Sequence, residues 1–386
     1  MDLDKTTDRR GTDSYKWDGN ENAFGRSDLL PFWVADMDFE TPGPILDAIR
    51  QRCEHPVLGY GIRSDEYFDA VTDWLRERHE WHVPREWLMF CPPSAIVGIH
   101  GLLTSLVTPS ESVVVHTPAY GPLLALVRDS GRELIECPLR ETRGAFAIDE
   151  GRLRSAVQPN TRMVILCNPH NPTGRSFSRE ELEVVDSIAR EAKLFVVSDE
   201  VHCDLVLPGS RHTPYGSIAG ERSMTVISPN KTFNTAGIPQ STLIIPSADI
   251  RRRFAAFLDT MQLNHDSTFG AVAMIAGYRH CKEWLDAVVA YVAENHEFVA
   301  SWLATHLPAI RKTRAEATYL AWLDFRALGL DEAEIQDLLV RKGGVGLYPG
   351  SIFGSAGAGF FRMNLACTRK QLELGLERIR RAMAGT

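Results

Sequence analysis
No long apolar run occurs in this chain. The longest clear one, Ala287 to Ala293, falls well short of the ~18–20 residues of a membrane-spanning helix, so no membrane partner is expected. The opening residues, with Asp2, Asp4, Lys5, Asp8, Arg9 and Arg10, lack the apolar stretch of a secretory signal and point to a cytoplasmic location. Positive charge is also in deficit: 42 Lys and Arg stand against 50 Asp and Glu, a net charge of −8, which argues against a polyanion-binding face and hence against nucleic acid. The seven cysteines (Cys53, Cys91, Cys137, Cys167, Cys203, Cys281, Cys367) never form C-x-x-C, so a zinc ribbon or redox pair is excluded and reduced, mostly core thiols are expected. Repeats, low-complexity tracts and long Pro/Gly linkers are missing as well. What is present is a globular composition, 44% hydrophobic over 386 residues, enough for about two to three units of ~150 residues.

Up to about Arg26 the chain is polar and reads as an irregular arm. Four short, β-branched runs then read as buried strands: Val113 to Val115, Met163 to Cys167, Leu194 to Val197 and Thr225 to Ile227. Between the second and third, Ser178 to Ala192 carries a helical stripe of Leu182, Val185, Ile188 and Ala192. Ser178 and Glu181 are placed for a capping box, and Phe177 and Leu182 for a hydrophobic staple. Strand, helix and strand in that order build parallel sheets. A last helix is read from Thr368 as N-cap, with Gln371 at the box position and Leu372, Leu376, Ile379 and Met383 as its stripe.

Open α/β sheets bind ligands at the carboxyl ends of their strands. There the sequence places His116-Thr117-Pro118-Ala119-Tyr120, Asn168-Pro169-His170-Asn171-Pro172-Thr173-Gly174, Ser198-Asp199-Glu200-Val201-His202 and Ser228-Pro229-Asn230-Lys231. A lysine, a carboxylate, an amide and an aromatic at successive strand ends supply what pyridoxal 5′-phosphate (PLP) requires: a Schiff-base amine, a partner for the pyridine nitrogen, a donor to the ring hydroxyl and a stacking surface.

The Asn-Pro-x-Asn-Pro-Thr-Gly element resembles that of the fold-type I PLP enzymes of the class I/II aminotransferase superfamily. Within it the chain looks most like the MalY/PatB group of cystathionine β-lyases, through Trp33-Val34-Ala35-Asp36-Met37-Asp38-Phe39, Leu58-Gly59-Tyr60, the Tyr120 and Asp199-Glu200-Val201-His202 segments, Thr318 to Asp324, and Tyr348-Pro349-Gly350. The resemblance implies an α/β fold: a large domain (48–285) with a mainly parallel central sheet, and a smaller α+β domain built from both termini (1–47 and 286–386). It also implies a homodimer with shared active sites.

By that resemblance Lys231 forms the Schiff base and removes the substrate's α-proton. Asp199 faces the pyridine nitrogen, Asn171 the ring hydroxyl, and Tyr120 stacks on the ring. His202 stands where many aminotransferases have tyrosine. Ser94 and Ala95, opening a helix with Ile96, Val97, Ile99 and Leu103 as its stripe, hold the phosphate with Ser228 and with Tyr60 of the neighbouring subunit. Arg362 grips the substrate carboxylate, and the backbone at Val34 and Ala35 closes over it. Pro92-Pro93 and Pro239 depart from the glycine and arginine that relatives often carry near the phosphate. Gly343 to Gly346 reads as a helix-to-strand turn, and His79 with His82 lacks the companions of a metal site, so no metal is expected.

The reaction implied is β-elimination from an amino-acid thioether, either cystathionine or another cysteine S-conjugate, with a specialised biosynthetic pathway as one setting for it. Transamination or decarboxylation-linked oxidative deamination on the same scaffold is the alternative, and a PLP-loaded regulatory binding protein is a further one. Selectivity is expected in the loops Asn20 to Asp28 and Gly350 to Gly359.

Overall fold
Strands apolar at every position, rather than at alternate ones, are covered on both faces. In the computed structural model, which describes residues 2–91, 94–265 and 267–384, this is how the central strands are built. Val113, Val115, Met163, Ile165 and Val197 face one apolar cluster, while Val114, Val164, Leu166 and Val196 face another on the opposite side of the sheet. The strands are β1 (Leu88–Phe90), β2 (Ser112–Thr117), β3 (Glu133–Pro138), β4 (Thr161–Cys167), β5 (Phe195–Asp199), β6 (Ser223–Ile227) and β7 (Thr242–Ile244). They lie in the order β1-β7-β6-β5-β4-β2-β3. Only β7 runs against its neighbours, so the sheet is mainly parallel, as expected. β5 is longer at its carboxyl end than the apolar run implied: Asp199 still pairs in register with Cys167 and Val226, and the candidate partner of the pyridine nitrogen is the last residue of a strand rather than part of a loop.

The helix between β4 and β5 spans Arg179–Glu191 and begins with a complete Ser178–Glu181 capping box. Leu182, Val185 and Ile188 are buried, but the stripe ends on Ala189; Ala192 is the exposed C-cap, one residue past the last helical turn. In the final helix, Arg369–Ala382, Thr368 accepts from the Gln371 amide, and the expected stripe is buried. Gln371 does not close a box. Its side chain reaches away from the helix start, and Nε2 donates to the buried Asp38 Oδ2 at 2.9 Å, a charge-assisted bond. Six cysteines are buried and Cys53 is exposed, and none of the seven forms a disulfide.

A four-stranded antiparallel sheet, β8 (Arg311–Lys312), β9 (Leu320–Asp324), β10 (Tyr348–Pro349) and β11 (Phe360–Asn364) in the order β8-β9-β11-β10, forms the second layer of the molecule. Leu30 and Phe32 join its core, so both ends of the chain contribute to it. The helix Lys282–His306 runs through residues 285 and 286: Leu285 to Val292 pack on the first unit, and Val299 and Leu303 on the second.

The N-terminal arm is no loose appendage. Lys16 is 0% exposed and donates to Asp38 Oδ2 at 2.8 Å, Trp17 Nε1 donates to Asp38 Oδ1 at 2.9 Å, and Arg9 forks onto Asp36 and Asp38. Burial would raise the Asp38 pKa, and the charge and hydrogen bond of Lys16, with those of Trp17 and Arg9, bring it below its ordinary value. Removing one partner from a buried pair strands the other charge. Lys16→Met should therefore cost about 3–5 kcal/mol in urea unfolding at pH 7. In the native protein the Asp38 contribution should be intact above about pH 4 and fade as the pH falls through its depressed folded pKa.

Candidate active site
β4, β5 and β6 end side by side, and a cavity of about 1120 Å³ opens there. Every expected site residue except Tyr60 lines it. Tyr60 is 86% exposed and rests against the His265 ring, 4.4 Å between centroids.

Lys231 lies on a single helical turn, Pro229–Thr232, capped by Ser228. Four residues cannot hold a helix by themselves. Tertiary bonds fix this one: Thr232 Oγ1 donates to Asp204 Oδ2 at 2.7 Å, and Asp204 Oδ1 accepts from Trp74 Nε1 at 3.0 Å and lies 2.8 Å from His79 Nε2. Burial would raise the Asp204 pKa, but the His79 hydrogen bond, the His79 and Arg78 charges and the Thr232 hydroxyl bring it down to about 2. This is the role of His79 in the fold, and nothing in the local sequence connected it with Asp204 or Thr232.

Lys231 Nζ donates to the Ala35 carbonyl at 2.7 Å. Burial lowers its pKa to about 8, against the pull of Asp36 and Asp199 and with the help of Arg362. A lysine so placed spends part of its time neutral near physiological pH, as a nucleophile or base must. Asp199 is shifted the other way, up to about 6, chiefly by burial; its carboxylate accepts from the Val201 amide at 3.3 Å. His202 is pushed down to about 3 by burial and by the Lys231 and Arg362 charges, so its imidazole is neutral. Its ring meets Tyr319 edge-on at 5.9 Å, and its buried Nδ1 has no partner among the described residues. Burial raises the pKa of Tyr120, which keeps the phenol protonated.

Arg362 is 2% exposed and spans the site, donating from one nitrogen to Asn171 Oδ1 (3.0 Å) and from another to the Trp33 carbonyl (2.6 Å). Its guanidinium carbon sits 5.3 Å from the Tyr348 ring centre and 5.0 Å from that of Phe353. Burial lowers its pKa to about 10. The Val34 carbonyl accepts from Asn364 Nδ2, and the Ala35 carbonyl accepts from Lys231 and from the Tyr319 hydroxyl at 2.9 Å. Tyr319 and Asn364 belong to the site as supports that carry no chemical signal of their own in the sequence.

At the other end of the cavity, Ser94 caps the helix Ala95–Leu106 by accepting from the Val97 amide. The remaining first-turn amides have no intrahelical acceptor. Ser228 Oγ gives its proton to the Gln240 carbonyl at 2.6 Å and accepts from the Asn230 amide. Pro239 does not line the cavity, and Pro92 and Pro93 lie outside the described residues.

Two of these groups oppose folding in the cofactor-free chain. For Lys231 the charged form is disfavoured once folded, so the cost is complete below about pH 8 and vanishes as the pH rises to the ordinary lysine value of 10.5. For Asp199 the cost is complete above about pH 6 and vanishes on acidification to 3.8. Lys231→Met and Asp199→Asn should each stabilise the cofactor-free protein at pH 7 by about 1–3 kcal/mol in urea unfolding, and Asp199→Asn should lose its advantage near pH 4.

Comparison with known proteins agrees with this architecture. A family model described as aminotransferase class I and II matches residues 29–379. The cystathionine beta-lyase PatB of Bacillus subtilis is 39% identical over the full length of both chains, and Protein MalY of Escherichia coli is 31% identical over 97% of each. The crystal structure of cystalysin from Treponema denticola, which contains a pyridoxal 5′-phosphate cofactor, superposes with a TM-score of 0.96 at 31% identity, covering 99% of this chain and 98% of that one. With its strand-end lysine, carboxylate and buried arginine in one cavity, the chain belongs to the aminotransferase class I and II family.

Proposed function
We propose that this protein is a PLP-dependent carbon–sulfur β-lyase that cleaves cystathionine or another cysteine S-conjugate to a thiol, pyruvate and ammonia. One observation carries the reading: a lysine amine with its pKa lowered to about 8 shares a cavity with a buried carboxylate, in a chain 39% identical along its whole length to a cystathionine beta-lyase.

The residues fit the cofactor. Asp199 is a buried carboxyl pushed up to about 6, as expected of an acceptor whose cationic partner would be the protonated pyridine nitrogen. The amides at Ser94 and Ala95 would hold the phosphate through the helix N-terminus, Asn171 Nδ2 would donate to the ring hydroxyl, and Tyr120 would cover the ring face. Ser228 could donate to the phosphate only by releasing Gln240. The chemistry that PLP would supply when bound is an electron sink for the α-carbon of a substrate held through its amino nitrogen.

The protein supplies the rest. Arg362 binds the α-carboxylate through the donor capacity left by Asn171 and Trp33, and the amides of Val34 and Ala35, which have no acceptor among the described residues, can close on the same group. Lys231 Nζ takes the proton from the α-carbon. The C–S bond breaks, the thiolate leaves, and the remaining three-carbon unit is hydrolysed to pyruvate and ammonia. His202, neutral throughout, places no second cation beside the lysine.

The exposed apolar stretch Val57, Leu58, Tyr60 and Ile62 supports a dimer, since such patches mark interfaces. It would carry Tyr60 to the phosphate of the neighbouring site.

Incubation with L-cystathionine and S-ethyl-L-cysteine should release thiol and pyruvate with no added amino acceptor, and Lys231→Ala should lower the rate at least about a thousandfold. Keto acid formed only with an added acceptor and without thiol would make the protein an aminotransferase. A visible Schiff-base band with no turnover on any amino acid would leave a regulatory role. Sedimentation should give a dimer, and Tyr60→Phe should weaken cofactor binding about tenfold, close to 1.4 kcal/mol.

A further inference from the structure
The cavity is larger than a cofactor and a cysteine unit require: about 1120 Å³, where ligand sites are commonly ~300–1,000 Å³. Its extra length runs along the helix Gly121–Asp129, which follows Tyr120. Pro122, Leu124, Ala125 and Ile352 line this part of the cavity, so much of its surface is apolar. Arg128 stands three and four residues beyond Ala125 and Leu124, on the same helical face, and lines the cavity with them, its side chain half exposed.

The Ile352 segment is fixed. The Phe353 carbonyl accepts from the Ala119 amide at 2.7 Å, and the Ile352 carbonyl packs so closely on Gly121 that a Cβ there would lie 2.7 Å from it. Gly354, at φ +101°, fits against Thr117, Glu136 and Leu124. Glu136 completes the arrangement: its Oε2 accepts from the Ser355 amide (3.0 Å) and hydroxyl (2.9 Å), and its Oε1 accepts from Arg128 at 2.6 Å. Arg128 is thereby oriented by a carboxylate that is itself held. Its side chain is 55% exposed, and its other guanidinium donors have no acceptor among the described residues.

We infer that this passage is a subsite for the thiol half of the substrate and that Arg128 receives a carboxylate there, so that the enzyme takes cysteine S-conjugates ending in an anion. The inference rests on the β-lyase reading. The passage has three parts, and such a substrate matches each: an α-carboxylate at Arg362, a thioether and methylenes along Leu124, Ala125 and Ile352, and a terminal anion at Arg128. The reach is suitable. Residue 128 lies about 10 Å along the helix from Gly121, and helical side chains lean back toward the N-terminus, leaving a span suited to a short aliphatic linker.

Binding can be read without cleavage, using analogues that carry carbon in place of sulfur and so have no leaving group. Calorimetry on the holoenzyme would compare L-2-aminosuberate, with a terminal carboxylate, and L-2-aminooctanoate, without one. The diacid should bind about tenfold more tightly, a difference near 1.4 kcal/mol. Arg128→Gln should bring the ratio of the two constants close to one. Glu136→Gln, which removes the competing anion, should increase it. A ratio of one in the unaltered protein, or one that Arg128→Gln leaves unchanged, would overturn the assignment. Thiol release from S-(3-carboxypropyl)-L-cysteine is scored separately: its absence, with the binding ratio intact, would reject the lyase reading and leave the subsite standing.

Discussion
The carbonyl oxygen of Ala35 accepts from both Lys231 Nζ and the Tyr319 hydroxyl, and the site is organised around that atom. It joins three parts of the chain: the N-terminal segment, the turn after β6 and the residue that precedes β9. A carbonyl can hold a buried amine in place only if its own backbone cannot move. The adjacent Asp36-Met37-Asp38 is correspondingly tied down, by Arg9, Lys16 and Trp17 from the arm, by Asn234, which donates to the Met37 and Phe39 carbonyls, and by Gln371 from the last helix. The acidic motif is structural first. Its two carboxylates gather the cations and donors that hold the lysine's acceptor still.

The same burial explains the chemistry. Lys231, Asp199 and Arg362 are each shifted toward their neutral forms, with desolvation the largest cause in all three. In water none would differ from an ordinary side chain. Their charges act on one another in both directions, since Asp199 opposes the fall in the lysine pKa and Arg362 adds to it. A bound ligand with a ring cation and a carboxylate would supply what each of them lacks. Stability is held in reserve until that ligand arrives.

Much of this was legible in the residues. Parallel strands announced themselves because doubly covered strands are apolar throughout, and the residues after them had to lie at one edge of the sheet. Lys231, Asp199, Asn171 and Tyr120 were found in that way, and Arg362 through the family resemblance. The arm's polarity pointed to an irregular backbone, which residues 2–19 have, but not to its burial. Lys16 is buried for the sake of Asp38, a pairing across 22 residues that no periodic pattern displays. Asp204, Thr232 and the Arg128–Glu136 pair were invisible for a related reason: each is an ordinary residue whose meaning lies in a distant partner.

Separation along the chain has one more consequence. Arg362 reaches the Trp33 carbonyl across 329 positions, and Gln371 reaches Asp38 across 333. During synthesis, then, the first forty residues emerge with Arg9, Lys16 and Trp17 at hand but without Arg362 and Gln371, and must wait for nearly the entire polypeptide to leave the ribosome. The pocket is the last thing the nascent protein finishes, and a truncated product, however well its central layers had formed, would be born without a working centre.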